Sequence, residues 1–473
     1  MEATSSVLTM TDMDTVDRLS PLDSWWIDIE RAFQQLHVGS ILLFEGPAPT
    51  LAELTGAIES RLDLIARYRQ RVLRVPLELG RPVWADDPRF CISNHVKHAT
   101  LIRPGTEESL QDLTAAIMSE PLDLSRPLWQ TWLVDGLHGG RWAMVNKTHH
   151  AMIDGIAGAD ILSVLLDHDP HVTARAAPAW TPQTEPSPTR LVTSALDDML
   201  RVPLEEVSRG LARALRSPLA FTRQSVVDLY GLAQAGERVI RPELVLDGPI
   251  GPRRRWGWSR TDLSAIKKVK NALGGTVNDV MLAAIAGGLR TFLSARGEEV
   301  DGRTVRAMVP VSMRTPQEHD RLGNEVSAVF ADLPVGISDA GERLAAVTRQ
   351  LTSLKGSGMA MGVDSMMTAA GLVPGALFAL GARVAAQLPQ RAISTVTTNV
   401  PGPQVPMYLL GRRMTELFPY IPIGAQIRIT IGIASYAGRI TCGVTGDFDA
   451  VPDLAVLCNG IDSATQELLA LVS

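Results

Sequence analysis

Apolar positions along this chain switch repeatedly between a period of two and one between three and four. Val38–Glu45 is rich in apolar and β-forming residues and predicts a strand. Leu51, Leu54, Ile58, Leu62 and Ile65 recur at helical spacing, predicting a helix over Leu51–Ala66. Trp129–Val134 and Arg141–Thr148 predict two strands joined by the glycine-rich turn Asp135–Gly140. A helix is expected from near Gly155 to Leu166, with Ile156, Ala159 and Ile161–Leu165 on its apolar side. In the second half, Leu263–Leu273 predicts a helix with Ile266 and Val269 inward, ended by Gly274-Gly275. Thr276 and Asp279 then form a capping box for a helix through Met281, Leu282, Ile285 and Leu289. Val305–Val311 and Ile427–Ala434 predict strands. Such alternation indicates a mixed α/β protein.

The pattern is interrupted at Pro170–Pro188, a Pro-, Thr- and Ala-rich linker. Helical segments follow it, broken by Pro203 and Pro218. Leu204, Val207, Leu211 and Leu215 make one apolar stripe, and Arg209, Arg213, Arg216 and Arg223 fall mostly off it. A helix of that kind packs on its own domain or lies on an anionic membrane. At 473 residues the chain exceeds the roughly 250–300 that one core supports. The expected division is a first domain at 1–169, a linker with helical segments at 170–247, and a second domain at 248–473.

A net charge of −6 is small for this length and argues against nucleic acid as a partner. The three cysteines, Cys91, Cys442 and Cys458, form no Cys-x-x-Cys pair, and their odd number argues for a reducing cytosol. Met1–Ser20 carries acids without an apolar core and does not read as a signal peptide. Ser365–Ala382 is uncharged, but Pro374 and three glycines interrupt it, so two short helices around Val373-Pro374-Gly375 are expected. They form a buried hairpin or a surface that touches lipid.

The chemistry concentrates in His149-His150-Ala151-Met152-Ile153-Asp154-Gly155, just after a predicted strand. A neutral histidine there can take a proton from a hydroxyl or thiol attacking a carbonyl. Asp154 would orient the imidazole or hold the backbone. No Gly-x-Ser-x-Gly elbow is present, which favours direct transfer over a serine acyl-enzyme. A metal site and a purely structural histidine pair are the other readings, but no third ligand cluster accompanies the motif; His95 and His98 flank a separate strand-like stretch.

His-His-x-x-x-Asp-Gly resembles the signature of the coenzyme A-dependent acyltransferase superfamily. Leu19–Asp23, Pro127-Leu128-Trp129, Thr276–Val280, Gly323-Asn324 and Asn399–Pro403 narrow the resemblance. In that order they are similar to the bacterial wax ester synthase/acyl-CoA:diacylglycerol acyltransferase family, closest in flavour to actinobacterial triacylglycerol synthases. The resemblance spans nearly the whole chain. It implies two similar chloramphenicol-acetyltransferase-like α/β domains, mixed sheets flanked by helices, and an active-site tunnel at their interface. It makes His150 the base, His149 a neighbour that shapes the tunnel, and Asp154 a strut followed by Gly155.

The Asn-Asp pair of the resemblance falls on Asn278 and Asp279. Capping explains Asp279, whereas Asn278 has no capping task and is the candidate to stabilise an oxyanion. Trp129 either lines the tunnel or is plain core. Asn399 and Gly402 belong to a tight loop that the resemblance puts near the acyl or CoA channel. Arg253–Arg255 reads as a solvated basic run rather than a phosphate site. Acyl-CoA enters as a substrate, with no retained cofactor and no metal. The acceptor is expected to be diacylglycerol, or alternatively a long-chain alcohol as in a wax ester synthase. A lipid-binding protein without turnover and a condensation domain on carrier thioesters are weaker alternatives. The expected location is cytoplasmic, peripheral on the inner membrane or on lipid droplets.

Overall fold

The computed structural model describes residues 16–30, 33–152, 161–171, 175–197, 244–312, 326–356, 361–362 and 393–472. In chain order the first half supplies α1 (Pro21–Ile29), β1 (His37–Phe44), α2 (Leu51–Glu59), β2 (Gln70–Leu73), β3 (Val83–Asp86), β4 (Val96–Thr100), α3 (Glu107–Ser119), β5 (Trp129–Leu137), β6 (Arg141–His149) and α4 (Ile161–Leu165). The second half supplies β7 (Arg254–Asp262), α5 (Leu263–Leu273), α6 (Val277–Ala295), β8 (Val305–Ser312), β9 (Val326–Leu333), α7 (Ala340–Gly356) and β10 (Met361–Gly362). It continues with β11 (Thr395–Pro401), β12 (Tyr408–Leu409), β13 (Arg412–Tyr420), β14 (Ile429–Tyr436), β15 (Arg439–Asp447) and α8 (Leu454–Ala470).

Two mixed sheets carry the fold, in the orders β12-β13-β1-β6-β5-β4 and β10-β9-β8-β11-β14-β15-β7. The first contains strands from both halves of the chain: β13 pairs antiparallel with β1, Gly39 opposite Tyr420. A division at residue 247 therefore does not separate the two sheets. The physical reason is an edge: β1 would otherwise expose a row of unpaired backbone groups, and β13 covers it.

Local signals set most elements. Leu263–Leu273 is helical as expected, and Gly274 and Gly275 both take positive φ (89° and 84°) where it stops. The capping box on α6 is present in both directions: Thr276 N–H donates to Asp279 (2.9 Å) and Asp279 N–H donates to Thr276 Oγ1 (3.2 Å). The helix expected over Leu51–Ala66 ends at Glu59 and gives way to two 3-10 turns. Leu62 and Ile65 are buried all the same, because tertiary packing takes up their apolar surface without helical phase. Of the helix expected from Gly155, Ile161–Leu165 is described; residues 153–160 and the stripe at 204–215 lie outside the described residues.

Three cores result. One lies under the second sheet, where α6, α7 and α8 pack. Gly288 of α6 approaches α8 so closely that a Cβ there would sit 2.8 Å from Ile461 N. A second core covers one face of the first sheet. The third joins the halves: Ile41, Val145 and Met118 meet Trp256 and Trp258 of β7 and Phe418 and Tyr420 of β13. Among the described residues no single helix is long and apolar enough to cross a membrane. The bent pair α5–α6 has the length and composition, but residues 279–289 of α6 are buried in the protein core.

Candidate active site

β6 is the central strand that delivers the histidine pair, and every residue of it after Arg141 is buried. Its last residue, His149, stands opposite His37 of β1. Backbone bonds hold both histidines in place: His149 N–H donates to Leu128 O and His150 N–H donates to Leu36 O, each at 2.9 Å. A 3-10 turn, His150–Met152, then lifts the chain out of the sheet. His149 Nδ1 accepts from Ala151 N–H (3.0 Å), so its proton sits on Nε2.

That Nε2 faces Glu30, at the end of α1, 3.5 Å from Oε2, and His37 Nε2 lies 3.4 Å from Oε1 of the same carboxylate. Both separations are at the long end of hydrogen bonding, so the attraction is mainly electrostatic. Burial alone would raise Glu30, but His149 and His37 beside it win and hold it well below the usual carboxylate range. Burial lowers His37 to about 4 against the pull of Glu30. His150 keeps part of its surface open, yet its ring is surrounded by protein. Burial, reinforced by His149, lowers it to about 4. At neutral pH His150 is an uncharged base. Trp26 of α1 stacks on its ring, with centroids 4.1 Å apart and 24° between planes.

Beneath the pair, Lys147 is fully buried and donates to the carbonyls of Ile117 (2.7 Å) and Glu120 at the end of α3. Burial lowers it to about 8, opposed by Glu120 and Glu30. Arg254, placed by sequence in a solvated run, is only 3% exposed. It donates to Phe33 O (2.6 Å) and Gln35 Oε1 (2.9 Å), tying β7 to the segment that leads into His37. The solvated-surface reading fails at Arg254, which is drawn into the seam between the halves, while exposed Arg253 and half-buried Arg255 clasp Phe448 at 3.8 and 4.0 Å.

The other candidates divide. Trp129 is 1% exposed, donates its indole N–H to Tyr68 O (2.8 Å) and stacks on His95 (4.7 Å). It is core that anchors β5 rather than a tunnel wall, because both its polar atom and its ring are already engaged. Asn278 and Asn399, 121 residues apart, meet: Asn399 Nδ2 donates to Asn278 Oδ1 at 3.0 Å. Gly402 donates its N–H to Ser435 O (2.9 Å), and a Cβ there would come within 2.4 Å of that oxygen, so close strand approach explains the glycine. His149 ends β6 of the first sheet with His150 just after it, whereas Asn399 lies on β11 of the second sheet and Asn278 in the first turn of α6. Asp154, Gly155, Gly323 and Asn324 lie outside the described residues. Among the described residues no group of three or more His, Cys, Asp or Glu is arranged so that it could hold a metal ion.

Sequence reasoning missed Trp26, Glu30 and His37. The Trp25-Trp26 doublet in a short capped helix was a legible signal. Glu30 and His37 gave none, since only the β1–β6 register brings them to His149.

Two mixed sheets, the first completed by β12 and β13 from the second half of the chain, with a neutral histidine at the end of a buried strand, define the two-domain fold of acyltransferases and condensation domains. Solved structures agree on that fold. The wax ester synthase/diacylglycerol acyltransferase of Marinobacter aquaeolei superposes with a TM-score of 0.69 at 23% identity, covering 96% of this chain and 99% of that one. The first condensation domain of the calcium-dependent antibiotic synthetase gives 0.58 at 17% identity, covering 98% and 97%.

The chain belongs to the wax ester synthase/diacylglycerol acyltransferase family and is an acyltransferase: the family's catalytic domain matches residues 19–281 and its C-terminal domain residues 322–469. Full-length relatives include the Mycobacterium tuberculosis proteins named probable diacylglycerol O-acyltransferase tgs1 and tgs2. The first is 33% identical over 96% of each chain. The second is 30% identical over 96% of this chain and 99% of its own. Membership decides against the non-catalytic and carrier-thioester readings.

Proposed function

We propose that this enzyme moves a long-chain fatty acyl group from acyl-CoA to the free hydroxyl of diacylglycerol, giving triacylglycerol and CoA, with His150 as general base. One observation carries the mechanism: an uncharged imidazole, fixed by backbone bonds and a stacked indole, belongs to a half-buried residue at the end of a buried strand. His150 takes the hydroxyl proton as the oxygen attacks the thioester carbonyl. The tetrahedral intermediate collapses, the C–S bond breaks, and the thiolate recovers the proton from the imidazolium. Asn399 occupies the Asn278 carbonyl oxygen, which leaves the Asn278 amide N–H groups free to donate to the oxyanion. No step needs a cofactor or a metal. Asp154 is assigned the role of a strut, with Gly155 freeing the backbone after it.

The acceptor follows the names of the full-length relatives. His150→Ala is expected to abolish transfer from radiolabelled acyl-CoA to dioleoylglycerol while the protein stays folded by circular dichroism. Unchanged turnover would overturn the mechanism. Wild-type preference for a long-chain alcohol over diacylglycerol in a competition assay would overturn the acceptor and make the enzyme a wax ester synthase. Because diacylglycerol resides in membranes, we place the enzyme in the cytoplasm, peripheral on the inner membrane or on lipid droplets. Sedimentation with anionic liposomes, lost at high salt, tests that placement; no sedimentation at low salt counts against it.

A further inference from the structure

We propose that Glu30 is a positioning residue for His150, acting through His149 and Leu36; the inference rests on His150 being the base. One carboxylate reaches both backbone segments that flank His150. On one side, Glu30 Oε1 accepts from Leu36 N–H (3.2 Å), and Leu36 O in turn accepts from His150 N–H (2.9 Å). On the other side, Glu30 Oε2 faces His149 Nε2 (3.5 Å), and His149 Nδ1 accepts from Ala151 N–H (3.0 Å), the residue after His150. Trp26, one helical turn before Glu30, stacks on the His150 ring itself. The end of α1 therefore grips the turn at three points.

The carboxylate has a second task. When His150 accepts the hydroxyl proton, a positive charge appears next to His149. Glu30 is the anion facing that cluster; the groups around it are His37 on β1 and His149 and Lys147 on β6. Its charge, passed through the oriented His149 ring, favours the imidazolium. Glutamine keeps the shape and one acceptor oxygen for Leu36 N–H, and replaces the oxygen that faces His149 with a neutral amide; a purely structural Glu30 would lose rate through that contact without moving the pH profile.

Glu30→Gln is the test, read by steady-state kinetics across pH. We expect kcat to fall on the order of 10–100-fold, as for other groups that orient a functional histidine. KM for acyl-CoA should stay within about twofold, and the acid limb of kcat/KM should move to lower pH as the imidazolium loses support. Glu30→Asp should recover part of the loss. In the double variant Glu30→Gln/His149→Gln, the second change should add little to the first, since the two groups act as a unit. Wild-type kcat and pH profile in Glu30→Gln, or full additivity in the double variant, would overturn the proposal. If Glu30→Gln does not fold, His149→Gln alone must show the same acid-limb displacement, and an unmoved limb overturns it. An inert His150→Ala beside a fully active Glu30→Gln defeats only the positioning role. An active His150→Ala defeats the base assignment itself.

Discussion

At the residue scale, the chemistry depends on histidines kept neutral by burial. His37 and His150 protonate near 6.5 in an unfolded chain but only near 4 in the fold. Both values are lowered, so their contribution to stability is complete above pH 6.5 and drains away as pH falls toward 4. Each histidine loses at most about 1.4 kcal/mol per pH unit in that window. Glu30, also lowered, adds a contribution that is lost further down, below the usual carboxylate value of 4.5. Melting temperature is expected to decline only slightly from pH 8 to 7, where buried Lys147 completes its protonation, and to drop progressively from pH 6.5 to 4.5. The same neutrality predicts kcat/KM level from pH 6 to 8 and falling as pH approaches 4, because protonated His150 cannot accept the acceptor's proton. A bell centred near pH 6.5 would contradict the lowered value.

At the element scale, sequence reading worked where the cause of the structure is local. The α5 helix starts and stops where the periodicity and the Gly274-Gly275 pair predict, and the Thr276–Asp279 box caps α6 in both directions. It worked less well at α2, where helical spacing continued past the point at which packing favours 3-10 turns. Helix crossing was not legible at all. A Cβ at Gly287 of α6 would lie 2.6 Å from Ala464 Cβ and one at Gly288 2.8 Å from Ile461 N. Gly288→Ala gains helix propensity of about 1 kcal/mol but forces α6 and α8 apart. A net loss of roughly 1–3 kcal/mol is expected from urea denaturation. An equal or higher midpoint would show that the crossing tolerates a methyl group.

At the scale of the whole molecule, the two halves are not independent. β12 and β13 complete the first sheet, and the aromatic cluster of Trp256, Trp258, Phe418 and Tyr420 seals its face against α3 and β7. Arg254 extends that coupling to the segment preceding His37. Residues 1–247 expressed alone should be insoluble or dimerise through the bare β1 edge, and co-expression with 248–473 should restore solubility and activity. A soluble, monomeric 1–247 fragment would show that the exchanged strands are dispensable.

The sequence by itself determined the α/β class, the helix caps, most strands and the histidine pair, because periodicity, capping and motif spacing are properties of neighbours along the chain. It also carried the family resemblance, and the family is the one the full-length relatives share. Only the tertiary structure decided that Asn399 meets Asn278, that Trp129 is core, that Arg254 is buried, and that Glu30 and His37 stand around His149. Those contacts depend on strand register and on the exchange of β13. Both are fixed by which surfaces exclude water across separations of tens to hundreds of residues, and no local pattern records them.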